Sequence, residues 1–482
     1  MGTNVARKLS AQGPRIDRRS MLKATLAAAL GLRVPGTVGA VGAATSSGTH
    51  SQEQSVAGAK HTVVVLNPGH FHAGLTLRKS HPRLNEDVYV YSEDGPDVES
   101  FLRMVKSFNE RSKDPTRWKL HIYRGSDYLE RLRAERPGDV VIIAGRNDTK
   151  MASIHRLHAD GFFVLGDKPW LIAASELGML NETAPTPPLA MDIMTERHEA
   201  ATLVQKALTE HAEVFGRFRT GGDEPAIVMK SVHHLYKIVN QKPLVRPAWF
   251  FDTGAQGEGI TDVTTHLVDL VQWMTGAGQP FDYERDIELL SARQWPTEVP
   301  RDIFARITGL PDFPATLRDH VKDSALHYLC NAGFSYRVRG IPVYLESLWN
   351  LAIPEGGGDT HDAIVRGTKA DLVIEQGAAT RFVTELTVRP LENNSAYAHA
   401  LSNAVESLQS AFPGIAVEPA GPTYRIAIPA AVRTTHEEHF AAVLEEFLGY
   451  IDSGERPANL GPDLISKYTL LARAAELSHR SA

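Results

Sequence analysis

Residues 257–274 read GEGITDVTTHLVDLVQWM. Past the glycines, apolar residues recur at the spacing of one helix face, namely at Val263, Leu267, Leu270 and Met274. The adjoining face carries Asp262, His266, Asp269 and Trp273. The pattern predicts a helix over residues 262–274 that presents a carboxylate and an imidazole one turn apart on the same side.

The Asp262 and His266 pair suits proton transfer. An imidazole near its titration point can accept or return a proton, and a nearby carboxylate orients the ring and stabilises its cationic form. A structural interpretation is also open. The helix dipole alone would favour Asp262 in a first helical turn, and His266 could be a hydrogen-bonded histidine of the core.

The whole stretch resembles the glycine-rich G-G-x-x-x-D-x-x-x-H-x-x-D signature of the Gfo/Idh/MocA oxidoreductases. Residues 166–169, GDKP, are similar to the glutamate-lysine-proline motif of that family, with Asp167 in place of the glutamate. The resemblance implies that Lys168, Asp262 and His266 are the catalytic residues. In that scheme His266 or Lys168 takes the proton of a substrate hydroxyl, and Asp262 positions the reacting group.

Length and composition limit the class of protein. A chain of 482 residues exceeds one ordinary core, which favours two domains. A net charge of -6 without a long basic run argues against a nucleic-acid partner. The tightest histidine pairs, His70 with His72 and His233 with His234, lack the acid or thiol spacing of a metal site, so we predict no metal.

The N-terminus carries an export pattern. Residues 17–23, DRRSMLK, precede a modestly apolar run over 24–32 and small residues at 41–43. The pattern looks like a twin-arginine signal and predicts a signal peptide over residues 1–43, too short and alanine-rich for a stable membrane span. Residues 44–60 are small and polar and predict a flexible linker. We therefore expect a periplasmic or extracellular protein.

Short strand and helix patterns alternate over residues 61–215. This alternation predicts a doubly wound parallel sheet, the Rossmann architecture of an NAD(P)-binding domain. Over residues 216–482 longer strand patterns follow, including one over 335–349, and the chain ends in two helical patterns over 435–453 and 463–478. They predict a C-terminal substrate domain with an open, largely antiparallel sheet. The predicted fold class is α/β plus α+β.

The first turn of the predicted Rossmann domain reads NPGHFHAG over residues 67–74. It keeps only the middle glycine of the G-x-G-x-x-G pyrophosphate motif. Asparagine tolerates a left-handed backbone, and glycine lets the chain approach a phosphate. The cofactor-binding candidates are Asn67, Gly69, His70, Phe71 and His72, joined through the family resemblance by Asn147 and Lys168.

Glu93 ends the second predicted strand, about two dozen residues after the first turn. A carboxylate there would accept hydrogen bonds from a ribose 2′-hydroxyl and repel a 2′-phosphate. Glu93 thus favours NAD over NADP as the cofactor. A solvated acidic turn is the alternative interpretation.

Residues 231–237 and 246–252 are rich in aromatic and polar side chains, and both segments precede the predicted helix over residues 262–274. Aromatic faces beside hydrogen-bonding groups suit a small-molecule carbohydrate, although such residues more often pack a core. The substrate-binding candidates are His233, His234, Tyr236 and Trp249. Together the two segments resemble the variant of the family with an oxidoreductase C-terminal domain, which implies no particular sugar.

Three functions remain open, because fold alone does not choose among them. The first is an NAD(P)-dependent oxidoreductase acting on a sugar, polyol or glycan-derived substrate, with a tightly bound and internally recycled cofactor. The second is an NAD-dependent glycosidase or lyase working by transient oxidation. The third is a non-catalytic nucleotide-binding or sugar-binding protein. We also expect a homo-oligomer formed through the C-terminal sheet.

Overall fold

A computed structural model describes residues 60–480, except for residues 223, 240–241 and 355. The predicted signal peptide lies outside the described residues, as does the predicted linker apart from Lys60. The first sheet contains β1 (His61–Leu66), β2 (Leu84–Ser92), β3 (Lys119–Arg124), β4 (Val140–Ile143), β5 (Phe163–Gly166) and β6 (Ala190–Asp192). All six strands are parallel, in the order β3-β2-β1-β4-β5-β6.

The first sheet is buried on both faces. In β1, Val63 and Val65 belong to one hydrophobic core, and Val64 and Leu66 belong to the other. Strands buried on both sides are typical of a doubly wound sheet, so the predicted Rossmann-like α/β fold is confirmed. The helices of this part are α1 (His72–Thr76), α2 (Pro96–Glu110), α3 (Tyr128–Glu135), α4 (Lys150–Ala159), α5 (Leu177–Thr183) and α6 (Ala200–Thr209).

The second sheet contains ten strands. They are β7 (Ile227–Tyr236), β10 (Ile287–Pro300), β11 (Val321–Lys322), β12 (Ala325–Val338), β13 (Ile341–Ala352), β14 (Thr360–Arg366), β15 (Ala370–Gln376), β16 (Glu385–Pro390), β17 (Ala416–Ala420) and β18 (Thr423–Ala427), while β8 (Ile238–Val239) and β9 (Lys242–Pro243) form a separate pair. The main order is β10-β12-β13-β7-β14-β15-β16-β18-β17, with β11 beside β12. Within the described part of this second sheet, only β7 and β13 pair in parallel, which confirms a largely antiparallel sheet.

The helices after residue 250 are α7 (Thr253–Gln256), α8 (Thr264–Thr275), α9 (Tyr283–Asp286), α10 (Arg301–Thr308), α11 (Ser395–Ser407), α12 (His436–Ser453) and α13 (Leu460–Arg480). Helices α8 and α13 contact one face of the second sheet. Helix α12 returns to the first sheet, where Phe440 and Phe447 are buried in the core that contains Val63. No helix in the described part of the chain combines the length and apolar character needed to cross a membrane.

Two local predictions are wrong. The strand expected over 335–349 is two strands, because Arg339 and Gly340 both have positive φ angles, 48° and 78°, and form the tight turn between β12 and β13. The helix expected from residue 262 begins at Thr264, after a 3-10 turn over Gly259–Thr261. Asp262 lies between turn and helix with φ -88° and ψ -100°, so it is not part of the first helical turn.

Candidate active site

An ion pair joins the two sheets at the centre of the site. Lys168 follows β5, and its Nζ lies 2.5 Å from Oδ1 of Asp262, which precedes α8. The two side chains are only 10% and 6% exposed. Burial alone would raise the pKa of Asp262, but the Lys168 ammonium outweighs it and lowers that pKa. The Asp262 carboxylate is therefore ionised at neutral pH.

His266 lies on the first turn of α8 and is buried. Burial and the charge of Lys168 lower the pKa of His266 to about 4, so the imidazole is neutral at physiological pH. Neither Nδ1 of His266 nor Oδ2 of Asp262 has a hydrogen-bond partner among the described residues. Buried polar atoms are rarely left unpaired in proteins, so these two atoms are suited to binding a polar ligand.

Asp167 holds the two histidines of the first turn. Its carboxylate oxygens lie 3.0 Å from Nδ1 of His70 and 2.9 Å from Nδ1 of His72. Burial would raise the pKa of Asp167, but the two histidines hold it well below its ordinary range. Where the family pattern has a longer glutamate, this chain thus ties the end of β5 to the first turn through two imidazoles.

The same three residues bring potential metal-ligand atoms within 4.8 Å of one another. Cations already surround them, since Lys168 follows Asp167 directly and Nζ of Lys150 lies 3.1 Å from the Asp167 carbonyl oxygen. Burial lowers the pKa of Lys150 to about 8, which still leaves it mostly protonated at neutral pH. Burial and the charges of Lys168 and Lys150 lower the pKa of His70, and positive charges so placed disfavour a divalent cation and favour an anionic ligand.

The remaining first-turn candidates lie at the carboxyl edge of the first sheet. Asn67 has a positive φ of 42°, and its Oδ1 accepts hydrogen bonds from Oγ of Ser92 at 3.0 Å and from the Glu93 amide at 3.3 Å. The Glu93 side chain is exposed beside it. A Cβ on Gly145 would lie 2.6 Å from the Asn67 carbonyl oxygen, so only glycine fits where β1 and β4 end side by side. Phe71 packs against the rings of His70 and His72.

Asn147 follows β4, and its side-chain amide is already hydrogen-bonded. Nδ2 of Asn147 donates to the Gln256 carbonyl oxygen at 2.6 Å, and Oδ1 accepts from Nζ of Lys150 at 2.5 Å. The backbone amide of Asn147 also donates to the Ala255 carbonyl oxygen at 2.9 Å. Asn147 thus connects the first sheet to the segment before α8, and its predicted cofactor contact stays a prediction.

The four substrate-binding candidates occupy three different places. His233 and His234 surround Asp359, with Nδ1 of His234 3.0 Å and Nδ1 of His233 3.6 Å from its carboxylate. His233 is also close enough to Asp262 to help lower its pKa.

The two aromatic candidates lie elsewhere. The Tyr236 ring packs under the Arg306 guanidinium at 4.2 Å. Trp249 donates from Nε1 to Oδ2 of Asp97 at 2.7 Å and lies beside Gly69, at the carboxyl edge of the first sheet. Of the four, His233 acts electrostatically on Asp262, and all four substrate-binding roles stay predictions.

Sequence reasoning missed the group that holds α8 in place. Asp269 accepts two hydrogen bonds from Arg197, both at 2.6 Å, and one from Lys467 at 2.8 Å. Lys467 also lies 2.8 Å from Asp192 at the end of β6. Asp269, the last acid of the signature, was the one sequence signal for this group. Its partners Arg197 and Lys467 lie far from it in sequence, so the pattern did not indicate them.

A second missed group is formed by Glu196 and His436. Oε1 of Glu196 lies 3.4 Å from Nδ1 of His436, and both side chains remain partly exposed. Burial would raise the pKa of Glu196, but His436 and then His266 hold it well below its ordinary range. The carboxylate is therefore a fixed negative charge near His266, and no local sequence pattern pointed to it.

Comparison with known proteins identifies the class. A family model described as "Putative oxidoreductase C terminal domain" matches residues 204–479, more than half of the chain. The chain therefore belongs to this family, and the resemblance to the Gfo/Idh/MocA type is confirmed. No curated protein matches the chain.

Solved structures agree with this assignment. A crystal structure of "a putative oxidoreductase" from Parabacteroides merdae is 39% identical, with 88% of this chain and 98% of that chain covered and a TM-score of 0.84. Levoglucosan dehydrogenase in complex with NADH is 13% identical, with 88% and 98% covered and a TM-score of 0.58. GenD2 from gentamicin A biosynthesis, in complex with NAD, is 13% identical, with 91% and 98% covered and a TM-score of 0.55. The last two show the fold alone.

Proposed function

We propose that the protein is an NAD-dependent oxidoreductase acting on a sugar, polyol or glycan-derived substrate. The observation that carries the proposal is the buried group of Lys168, Asp262 and His266, in which two polar atoms have no partner among the described residues. Similar folds are found in a levoglucosan dehydrogenase complexed with NADH and levoglucosan and in GenD2 complexed with NAD, which supports both the cofactor and the substrate class.

The carboxyl edge of the first sheet fits a dinucleotide. Asn67 and Gly145 bring two strand ends close together, and the ammonium groups of Lys150 and Lys168 favour an anion. When bound, NAD supplies hydride acceptance and return at its nicotinamide ring. Ligands of such sheets lie beyond the carboxyl ends of the strands, where Lys168 and Asp262 meet.

The side chains divide the remaining work. Lys168 donates a hydrogen bond to the substrate oxygen that changes between hydroxyl and carbonyl, and Asp262 holds that ammonium in place through Oδ1. Oδ2 of Asp262 has no partner among the described residues, so it can accept a hydrogen bond from a neighbouring hydroxyl of a carbohydrate. His266, neutral at physiological pH, takes the hydroxyl proton on Nδ1.

Replacement of Glu93 by Ala is expected to weaken NAD binding and to reduce the preference over NADP. The exposed carboxylate ends β2, where it can accept from the ribose hydroxyls and repel a 2′-phosphate. Calorimetric titration of both nucleotides measures the change. Asp94→Ala is the matched control, because Asp94 pairs with Arg124 at 2.8 Å. Unchanged NAD affinity in Glu93→Ala, or tighter binding of NADP by the native protein, would remove Glu93 from the site.

We infer that the protein is exported by the twin-arginine route and keeps its nucleotide. Twin-arginine export moves folded proteins, so the nucleotide can be loaded in the cytoplasm. Outside the inner membrane no soluble NAD pool replaces a cofactor that leaves. Turnover then requires that the cofactor is regenerated in place, either by a second carbonyl substrate or within a redox-neutral elimination and addition cycle. The protein is also expected to form a homo-oligomer through the second sheet.

The test is purification of the exported form, identification of bound nucleotide by mass, and incubation with sugars and chromogenic glycosides. Copurified NAD with paired oxidation and reduction of two sugars supports the oxidoreductase. Glycoside cleavage without net NADH selects the glycosidase or lyase instead. Failure to bind nucleotide at all would leave a non-catalytic binding protein. A protein that needs free NAD and releases NADH stoichiometrically would refute the retained cofactor.

A further inference from the structure

A segment of the C-terminal part crosses the nucleotide edge of the first sheet. We call residues 248–256 the strap. At one end Trp249 contacts the edge near Gly69, which follows β1, and Asp97, which lies in the first turn of α2, the helix that follows β2. At the other end the Ala255 and Gln256 carbonyl oxygens accept hydrogen bonds from Asn147, which follows β4. The strap thus spans the ends of three neighbouring strands.

The two ends of the strap are fixed differently. Phe250 and Phe251 are buried in the core of the second sheet, 3% and 1% exposed, and anchor the segment there. The Asn147 end is held by two hydrogen bonds to backbone oxygens at 2.9 and 2.6 Å. At the Trp249 end, one side-chain hydrogen bond, from Nε1 to Oδ2 of Asp97 at 2.7 Å, links the strap to the first sheet.

The Trp249 contact lies directly over the glycine of the first turn. A Cβ on Gly69 would lie 3.1 Å from Cζ2 of Trp249 and 3.2 Å from Oδ2 of Asp97. Indole and carboxylate therefore cover the backbone that a dinucleotide approaches in this fold. Immediately after the strap the chain reaches Gly257 and then Asp262. One continuous segment therefore both covers this edge of the first sheet and positions Asp262.

We propose that Asp97 and Trp249 form a clasp that closes the strap over a bound dinucleotide and slows its release. The proposal rests on the proposed function, because it assigns the retention of the cofactor to two named side chains. A dinucleotide along this edge leaves only when the strap lifts from β1 and β2, and the Asp97 bond opposes that movement. Asp97 and Trp249 are positioning residues, since their effect is on exchange rather than on the reacting atoms.

The experiment measures nucleotide release from the full-length mature protein. The protein is loaded with NADH and chased with excess NAD, while NADH fluorescence reports the release rate. Trp249→Phe removes the donor but keeps a ring, and Asp97→Ala removes the acceptor. Both substitutions remove a hydrogen bond to a charged group, and the free energy lost is expected to make NADH release about tenfold faster. Asp97→Asn keeps an oxygen acceptor but loses the charge, so its NADH release rate is expected to lie between those of the native protein and Asp97→Ala.

Trp295→Phe is the matched tryptophan control, because Trp295 lies on the edge strand β10 under Arg293. Its release rate should equal the native rate, and thermal melting checks that every variant is folded. Native release rates in both Trp249→Phe and Asp97→Ala would overturn the clasp while leaving the proposed function intact. Tighter nucleotide binding in those variants would also overturn it, because the strap would then block the site. A native protein that binds no nucleotide would refute the clasp together with the proposed function.

Discussion

Replacement of Lys168 by Met is expected to lower turnover by a factor of about a thousand or more, within the range of lost acid-base catalysis combined with lost orientation. The substitution removes the ammonium that lies 2.5 Å from Asp262 and is assigned to the substrate oxygen. It keeps an apolar stem of similar length, so the protein should stay folded. The measurements are the single-turnover rate, the thermal melting curve and the nucleotide content by mass.

The same substitution should change the ionisation of Asp262. Without Lys168 the buried carboxylate loses the charge that lowers its pKa, and desolvation then raises that pKa. Asp262→Asn should also be severe, and the double variant should be little worse than either single one, because the two residues act as a unit. Independent, multiplicative effects of the two substitutions would contradict this interpretation.

His266 offers a separate check on the catalytic group. His266→Ala is expected to abolish turnover while the protein keeps its fold and its nucleotide, because Nδ1 has no partner to lose among the described residues. If His266→Ala instead unfolds the protein and nothing else changes, His266 is a structural histidine of the core, the alternative interpretation of the sequence.

Much of the first sheet could be predicted because its signals are local. The run over residues 62–66, four β-branched residues followed by a leucine, is typical of a strand buried on both faces of a parallel sheet, and it forms β1 over His61–Leu66. Lys168 followed by Pro169 is also a local signal, and it indicated the end of β5. The carboxyl ends of parallel strands meet at one edge, so neighbouring strand ends could be expected to form one site.

Other features depend on contacts that no local pattern carries. The turn at Arg339 and Gly340 was hidden within a continuous apolar alternation, because a two-residue turn hardly interrupts it. The partners of Asp269 lie 72 and 198 positions away, at Arg197 and Lys467. Trp249 was a sugar candidate by composition, yet its indole points to Asp97, 152 positions earlier. Such pairings are set by how the two sheets dock.

Replacement of Asp269 by Ala is expected to destabilise the protein by about 3–5 kcal/mol, the cost of leaving buried charges without their partner. Burial alone would raise the pKa of Asp269, but Arg197 and Lys467 hold it well below its ordinary range, so the native carboxylate is ionised at neutral pH. Its removal leaves Arg197 without its two hydrogen bonds and Lys467 with Asp192 alone. Thermal and urea unfolding measure the loss.

The variant should also lose activity at temperatures where it is still folded. Asp269 fixes α8 to Arg197 and to Lys467 of α13, and α8 carries His266 one turn before Asp269. Glu476→Ala is the matched control, because Glu476 pairs with Arg473 at the surface of α13, and exposed pairs contribute little. If Asp269→Ala is as stable as Glu476→Ala, the group is not what orients α8. If it is destabilised but fully active at low temperature, Asp269 stabilises the fold and the position of His266 is fixed by the Lys168 and Asp262 pair instead.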